Sequence, residues 1–549
     1  MKKHILIFIF SLLCISFSSA AEAPILKVGL FSDTHVRKNI ASCNSVKAAW
    51  QVFKKENCDL VVNLGDIAHV PDTQAYRHYR NTVNALFAPG KKRPRELYIY
   101  ANHDRIGFED VDKAFAALKK DLEIPNDPYD KMILKGYPFL VFPQFLDLER
   151  YEKTIAETIK KFPGKPVFVL DHIPPFRTIS HSKTWGSFAR RDAMVKFPQA
   201  IHISGHVHGS TFNECHIWQG EFTAVNAGSS MSGTVLILEI YKERLLFRRF
   251  SLVDGKEHCT DRQWSIPWPF DPATAPFRPE YRKERSETPA FPAGAKLAVS
   301  RDEKMPGYIV LEIPAASPEV HYYMLTIEKK NTKGKWDLVT RHKVNSDFRL
   351  RPMDRPSLIK RYISEGYFDS NAEYRILAEP VNFYGKQGKG IQLFWKASLK
   401  NKSKVIFESK DPMNELPFLT ELEGGVPLKK ENGFYINDVH HARLVFPDRV
   451  WASIPKNARV RFTVDMHTIQ KNDLFRQWTI VLRHPTPLSN ACHRIYTLSD
   501  ESVRRFVINF NMVNTDHRYY LLLREGEPGK VRFNYVKIEI LEEKTTGTK

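Results

Sequence analysis

The chain has 549 residues, 42% of them apolar and 26% charged, which excludes a disordered or low-complexity protein and implies more than one domain. Its net charge is +20, of which residues 271–549 carry +12. No run of five or six basic residues occurs, so the charge reads as dispersed Lys and Arg, and no nucleic-acid reading module is recognised.

Residues 1–20 read as a secretory signal peptide. Lys2 and Lys3 precede a short apolar run and a small-residue cleavage site around Ala20 to Ala23. The run is shorter than the ~20 residues a membrane span needs, so the mature chain is expected to be exported, to the periplasm or cell surface, without a transmembrane segment. Five cysteines remain after cleavage, Cys43, Cys58, Cys215, Cys259 and Cys492, and pairings of Cys43 with Cys58 or Cys215 with Cys259 are both open.

From residue 24 to 262 short apolar strands alternate with helical patterns. Strands are predicted at 25–31, 60–64, 96–100, 166–170 and 200–204, and helices at 45–57, 73–87, 110–122 and 149–161. Segments 221–226, 235–241 and 244–252 are predicted to form an antiparallel meander. This alternation means a layered α/β domain. Residues 263–293 are rich in proline and read as an extended linker. Residues 294–399 and 400–543 alternate apolar and polar side chains at short spacing, and each is predicted to be a β-sandwich. In the last strand the apolar phase shifts between Tyr535 and Val536, which predicts a bulge.

The chemistry lies where the predicted α/β strands end. The first ends in Asp33-Thr-His35, the second in Gly65-Asp66 and the third, in the stretch YIYANHDR, in Asn102-His103-Asp104. The fourth ends in Asp171-His172 and the fifth in Gly205-His206-Val-His208. Sites in such sheets form beyond the carboxyl ends of strands, so these groups are expected to converge. Each piece alone has a plain structural reading, a cap, a turn or a hydrogen-bonded histidine. Together they make a nitrogen and oxygen donor set suited to divalent Mn, Fe, Zn, Co or Ni.

In these motifs residues 26–250 resemble the calcineurin-like metallophosphoesterase superfamily, whose signature runs D-x-H, G-D, G-N-H-D/E, H and G-H-x-H. The resemblance implies an αββα sandwich holding two divalent metal ions. By it Asp33, His35 and His208 hold one ion, Asn102, His172 and His206 hold the other, and Asp66 bridges them. It further implies that metal-bound hydroxide attacks a phosphate ester. His103 would then stabilise or protonate at the substrate, and Asp104 would hold the His103 imidazole. Arg37, His69 and His181 are candidate substrate contacts, the last together with Trp185. Ala101 departs from the pattern, standing where the signature has glycine.

The C-terminal halves resemble a fibronectin type III domain, with Tyr374 placed for a tyrosine corner, and a jelly-roll of the galactose-binding type. In the second, Trp451, Trp478, Tyr519 and Tyr520 are candidates for stacking on a glycan, although core packing is the commoner use of such rings. The expected function is an exported phosphoesterase, with a phosphodiester favoured over a monoester or nucleotide. Its rival is a glycan-binding adhesion protein on a phosphoesterase scaffold.

Overall fold

Three of the apolar runs become neighbouring parallel strands, Leu26–Phe31, Leu60–Asn63 and Arg95–Tyr98. The computed structural model describes residues 22–541 apart from 89, 91, 107–109, 306, 347–356, 400–402, 421–426, 438–440, 471–478, 484–492, 497–502, 512–519 and 525–528. Thr234–Ile240 pairs antiparallel with Leu26–Phe31, and Arg244–Ser251 pairs with Thr234–Ile240. Glu257–His258 and Trp264–Pro267 complete this seven-stranded sheet against Arg244–Ser251. The expected linker therefore gives its first residues to the sheet. Its prolines hide an alternation of Trp264 with Ile266, both fully buried.

A second sheet runs in the order Asp130–Leu134, Tyr137–Val141, Val167–Leu170, Ala200–Ser204, Thr223–Asn226 and Ile217–Gln219. Its four inner strands are parallel. Thr223–Asn226 thus lies beside Ala200–Ser204 and is not part of the expected meander, which shrinks to a hairpin of Thr234–Ile240 and Arg244–Ser251. All four residues of Thr223–Asn226 are buried, as an inner parallel strand requires.

Alternate side chains of each strand serve different cores. Leu30, Val62, Leu97 and Leu238 of the first sheet share a buried cluster with Phe139, Phe168, Ile203 and Val225 of the second. Phe31, Val61, Tyr98 and Ile237 point the other way, onto Trp50 and Phe53, Tyr76 and Tyr79, and Phe115 and Leu118. Those rings and side chains come from helices Asn44–Lys55, Thr73–Asn84 and Val111–Leu122. Behind the second sheet, Leu140 and Val169 pack with Tyr151 and Ile155 of Leu148–Lys161 and with Met194 of Phe188–Met194. Local chemistry starts three of these helices where the sequence says. Asp72, Asp110 and Asp147 each accept a backbone N–H of the first turn.

Beyond residue 297 the secondary structure is mostly β. A three-stranded sheet (Ala298–Ser300, Tyr308–Pro314, Leu358–Ser364) and a four-stranded one (Trp336–Asn345, Val320–Lys330, Glu373–Asn382, Ile391–Lys396) share one buried cluster. Tyr374 sits in it, and its hydroxyl accepts the Asp369 N–H at 2.6 Å, the hydrogen bond of a tyrosine corner. Two further sheets follow. In one, Asp465 pairs with Tyr535 and Met466 with Phe533, so Asn534 is the extra residue of the expected bulge. Trp451 is buried in the core of this region, which removes it as a glycan platform. Trp478 and Tyr519 lie outside the described residues, and the Tyr520 side chain is not described. Neither Cys43 with Cys58 nor Cys215 with Cys259 forms a disulfide, and Cys492 lies outside the described residues. Among the described residues no helix is long and apolar enough to cross a membrane.

One buried carboxylate ties the proline-rich segment down. Glu214 pairs with Arg249, with Arg262 at 3.1 Å and with Arg282 at 3.0 Å, and accepts the Trp264 indole N–H at 3.1 Å. Arg282 lies in Pro279–Arg285, a short helix started by its proline. From the same cluster Arg262 reaches Glu319 at 2.8 Å and Arg282 reaches the Tyr384 hydroxyl at 3.3 Å.

Candidate metal centre

Both sheets deliver their parallel strand ends to one place. Asp33, His35, Asp66 and His208 bring ligand atoms within 4.8 Å of one another, and so do Asp66, His172 and His206. The two groups share Asp66.

Backbone geometry singles out the same residues. Asp33, His35, Asp66, His206 and His208 all have positive φ, between 43° and 70°. Such a conformation costs a non-glycine residue roughly 1–2 kcal/mol, and strain of this kind gathers at functional sites. Gly65 makes room beside them. At φ +101°, a Cβ on it would stand 2.6 Å from the Ala101 methyl and 2.8 Å from His172 Nδ1. The Ala101 departure is thereby accommodated: its own φ is not positive, and its methyl faces a residue that has none.

Three buried oxygens make no well-aligned hydrogen bond: Asp33 Oδ1, Asp66 Oδ2 and Asn102 Oδ1. The other oxygen of each carboxylate is engaged. Asp33 Oδ2 accepts the Ser32 hydroxyl and the His206 N–H, and Asp66 Oδ1 accepts the His103 N–H at 3.0 Å. Asn102 is held by its own N–H, which donates to Gln144 Oε1 at 2.7 Å. Orphaned buried acceptors are costly, and a cation would satisfy all three.

The imidazoles are aimed at the same space. His35 Nε2 and His208 Nε2 are 3.0 Å apart, and His206 Nδ1 and His172 Nε2 are 3.2 Å apart. Two nitrogens each about 2.1 Å from one ion and at right angles around it would stand about 3 Å apart. His172 Nδ1 donates to the Leu64 carbonyl at 2.7 Å, which fixes the ring with Nε2 inward, 3.3 Å from Asp66 Oδ2. His208 Nε2 lies 3.3 Å from Asp33 Oδ1. The donor set therefore fits divalent cations.

Protonation follows from the same packing. Burial drives His35 and His206 down to about 4, leaving both neutral and able to ligate. Burial opposes charge on His172 too, but Asp66 and Asp33 outweigh it and hold that ring up to about 9. The nearby Asp33 carboxylate raises His208. Asp66 is buried, yet His172 keeps it well below the usual carboxylate range. The proton on His172 supplies the positive charge that the carboxylates demand, and a cation binding there must displace it.

His103 and Asp104 part company. His103 and Asp104 lie in the 3₁₀ turn His103–Arg105, where successive side chains diverge by about 120°. Asp104 is fully buried and turns inward, accepting the N–H groups of Asp66, Ile67, Ala68 and Ala101 at 3.1 to 3.4 Å. It does not hold the His103 imidazole, which corrects the expected role. Burial and the Asp66 charge push its carboxyl up to about 8, against the pull of those N–H donors. His103 Nδ1 instead donates to the His69 carbonyl at 2.8 Å. Its ring is stacked on His69 and edge-on to His35, with centroids 5.5 and 4.5 Å away.

Of the secondary candidates, His69 is thus at the mouth of the site. Arg37 is exposed beside it, since the Val36 and Ala68 backbones pair and the His69 N–H meets the Val36 carbonyl. The His181 ring bonds Ser180, not a ligand residue, but it precedes the short helix Ser182–Trp185, and Trp185 packs edge-on to His206 at 5.9 Å. Sequence reasoning missed a supporting layer. Arg190 grips Asp171 through two hydrogen bonds of 2.6 and 3.1 Å and also reaches the Gln144 carbonyl at 2.7 Å. It thereby ties the His172 strand end to the residue that holds Asn102. Only the position of Asp171, next to His172, signalled it.

The family comparison agrees with this geometry. Residues 26–210 match the family model described as calcineurin-like phosphoesterase. These residues form a calcineurin-like phosphoesterase domain. Its members are generally metal-dependent hydrolases, and every candidate ligand of this phosphoesterase domain falls within the match. No curated protein matches the chain. Among solved structures the chain is similar to the CBM22-1 xylan-binding domain of Paenibacillus barcinonensis Xyn10C. The identity is 9% and the TM-score 0.15, over 26% of this chain and 99% of that one. It is also similar to chitinase ChiA74 from Bacillus thuringiensis, at 9% identity and TM-score 0.15 over 91% and 78% of the two chains.

Proposed function

We propose that this protein is an exported dinuclear-metal phosphoesterase that hydrolyses a phosphodiester, built as an αββα sandwich followed by a fibronectin type III-like and a jelly-roll-like domain. The observation that carries the reading is the set of three buried oxygens without a well-aligned hydrogen bond, Asp33 Oδ1, Asp66 Oδ2 and Asn102 Oδ1, gathered with four imidazoles. Asp33, His35 and His208 would hold one ion and Asn102, His172 and His206 the other, with Asp66 Oδ2 between them. Two divalent cations there would supply positive charge to the phosphoryl oxygens and make water nucleophilic near neutral pH. His103 acts from the chain itself. With Nδ1–H committed to the His69 carbonyl, Nε2 is the atom left to meet the ester and pass a proton to the departing oxygen. Export rests on the leader-like residues 1–20.

The test is an assay of the mature protein, stripped and reloaded with Mn, Fe, Zn, Co or Ni in turn, on bis-p-nitrophenyl and p-nitrophenyl phosphates. Metal-dependent turnover that is lost in Asp66→Asn is the expected result, with the diester faster. A faster monoester would replace the diesterase reading. Absence of bound metal would overturn the assignment and favour a glycan-binding role for the chain.

A further inference from the structure

Exposed apolar side chains stand among the polar groups at the mouth of this site. Val70, Ile106, Phe145, Trp185 and Met231 are between 38% and 59% exposed. Each belongs to a different segment and stands beside a residue at or supporting the site: Trp185 closes a short helix and Met231 sits in a 3₁₀ turn. Val70 follows His69, whose ring stacks on His103, and Ile106 ends the turn that carries His103. Phe145 follows Gln144, which holds Asn102. Trp185 touches His206, and Met231 precedes Ser232, whose hydroxyl donates to the His208 carbonyl at 2.6 Å. A lone exposed apolar side chain needs no explanation. Five of them, each touching or next in sequence to a residue at or supporting one centre, make an apolar fringe around it, and such a fringe marks a contact with an apolar partner.

Cations are set between these side chains. Arg37, beside His69, makes no side-chain ion pair or hydrogen bond among the described residues. The Arg105 guanidinium lies 4.6 Å over the Phe145 ring, and Lys183 shares a helix with Trp185. Apolar and basic side chains interleaved around one opening are the composition that meets a phospholipid surface, the first among acyl chains and the second at headgroup phosphates.

We infer that the substrate is a phosphate ester of a lipid, taken at a bilayer surface; this rests on the phosphoesterase reading above. Water would supply the oxygen that bonds to phosphorus. The bond from phosphorus to the departing alcohol breaks, and that alcohol keeps the proton. A nucleoside or sugar ester would call for paired rings or polar groups at the rim. There Trp185 packs on His206 and Phe145 lies under Arg105, while Val70, Ile106 and Met231 are aliphatic.

The experiment compares the full mature chain with Val70→Ser/Met231→Ser, neither residue being a ligand. Sedimentation with vesicles of phosphatidylcholine, alone or mixed with phosphatidylglycerol, reads binding without turnover. Hydrolysis of the same vesicles is set against hydrolysis of bis-p-nitrophenyl phosphate. Losing two partly buried apolar contacts should weaken vesicle binding and vesicle hydrolysis by about 10-fold or more, with the soluble ester unaffected. Equal effects on both substrates, or turnover of the soluble ester without any vesicle binding or lipid hydrolysis, would overturn the inference. Failure on every ester, the soluble one included, would instead overturn the phosphoesterase reading beneath it.

Discussion

Replacing Glu214 by glutamine tests how the proline-rich segment is held. The carboxylate is 2% exposed and neutralises Arg249, Arg262 and Arg282 while accepting the Trp264 indole. Glutamine keeps the shape and removes the charge, so three guanidiniums lose their shared counter-ion. Breaking a buried pair from one side costs about 3–5 kcal/mol. At roughly 2–4 °C per kcal/mol for a domain of this size, the first thermal transition should fall by roughly 6–20 °C. The pH dependence sharpens the test. Burial raises the Glu214 pKa, but the three arginines outweigh it and hold it below its ordinary 4.5. Its contribution is therefore complete above that value and is lost as the pH falls below it. Differential scanning fluorimetry of both proteins from neutral pH to below 4.5 should show a gap that narrows only at the acid end. A gap under about 2 °C at pH 7, or one that stays constant down to the acid end, would refute the argument.

Other expectations concern the centre. His103→Ala should retain metal, measured by elemental analysis, and lose about 10²- to 10⁴-fold in turnover. Asp104→Ala should behave differently and lose metal as well, because four backbone N–H groups around Asp66 lose their acceptor. Equal metal content in the two variants would restore Asp104 to a role on the imidazole alone. Gly65→Ala should expel metal, since its Cβ meets both the Ala101 methyl and His172. Adding Ala101→Gly should recover only part of the loss, because the strained φ and the His172 contact remain. Full recovery in titrations of metal affinity would show that the methyl overlap was the whole effect.

The clustering of Asp33, His35, Asp66, His172, His206 and His208 was legible because each stands just past an apolar run, so the strand pattern and the donors are read together. The tyrosine corner at Tyr374 and the bulge near Tyr535 were legible for a similar reason, a local pattern with a local outcome. What escaped was adjacency in space. Gln144 and Arg190 support Asn102 and His172 from elements far along the chain, and no spacing announces them. Asp104 misled because neighbours in sequence are not neighbours in direction on a 3₁₀ turn. Thr223–Asn226 misled because its pattern suits a hairpin as well as an inner strand. Only burial on both faces decides between them. Prolines around Trp264 masked a strand that is read only once its sheet is present.

The clamp at Glu214 bears on modularity. Arg262 and Arg282 each join the phosphoesterase unit to the following β-unit, through Glu319 and Tyr384, and the Cys215 thiol meets the Phe383 carbonyl at 3.0 Å. A cut at residue 262 would take Trp264 and Arg282 away from Glu214 and leave an acid half compensated inside the protein. The phosphoesterase unit is therefore not a bead on a string. Recombination that swapped the following β-unit alone would have to carry residues 263–293 along, or rebuild the interior it was cut from.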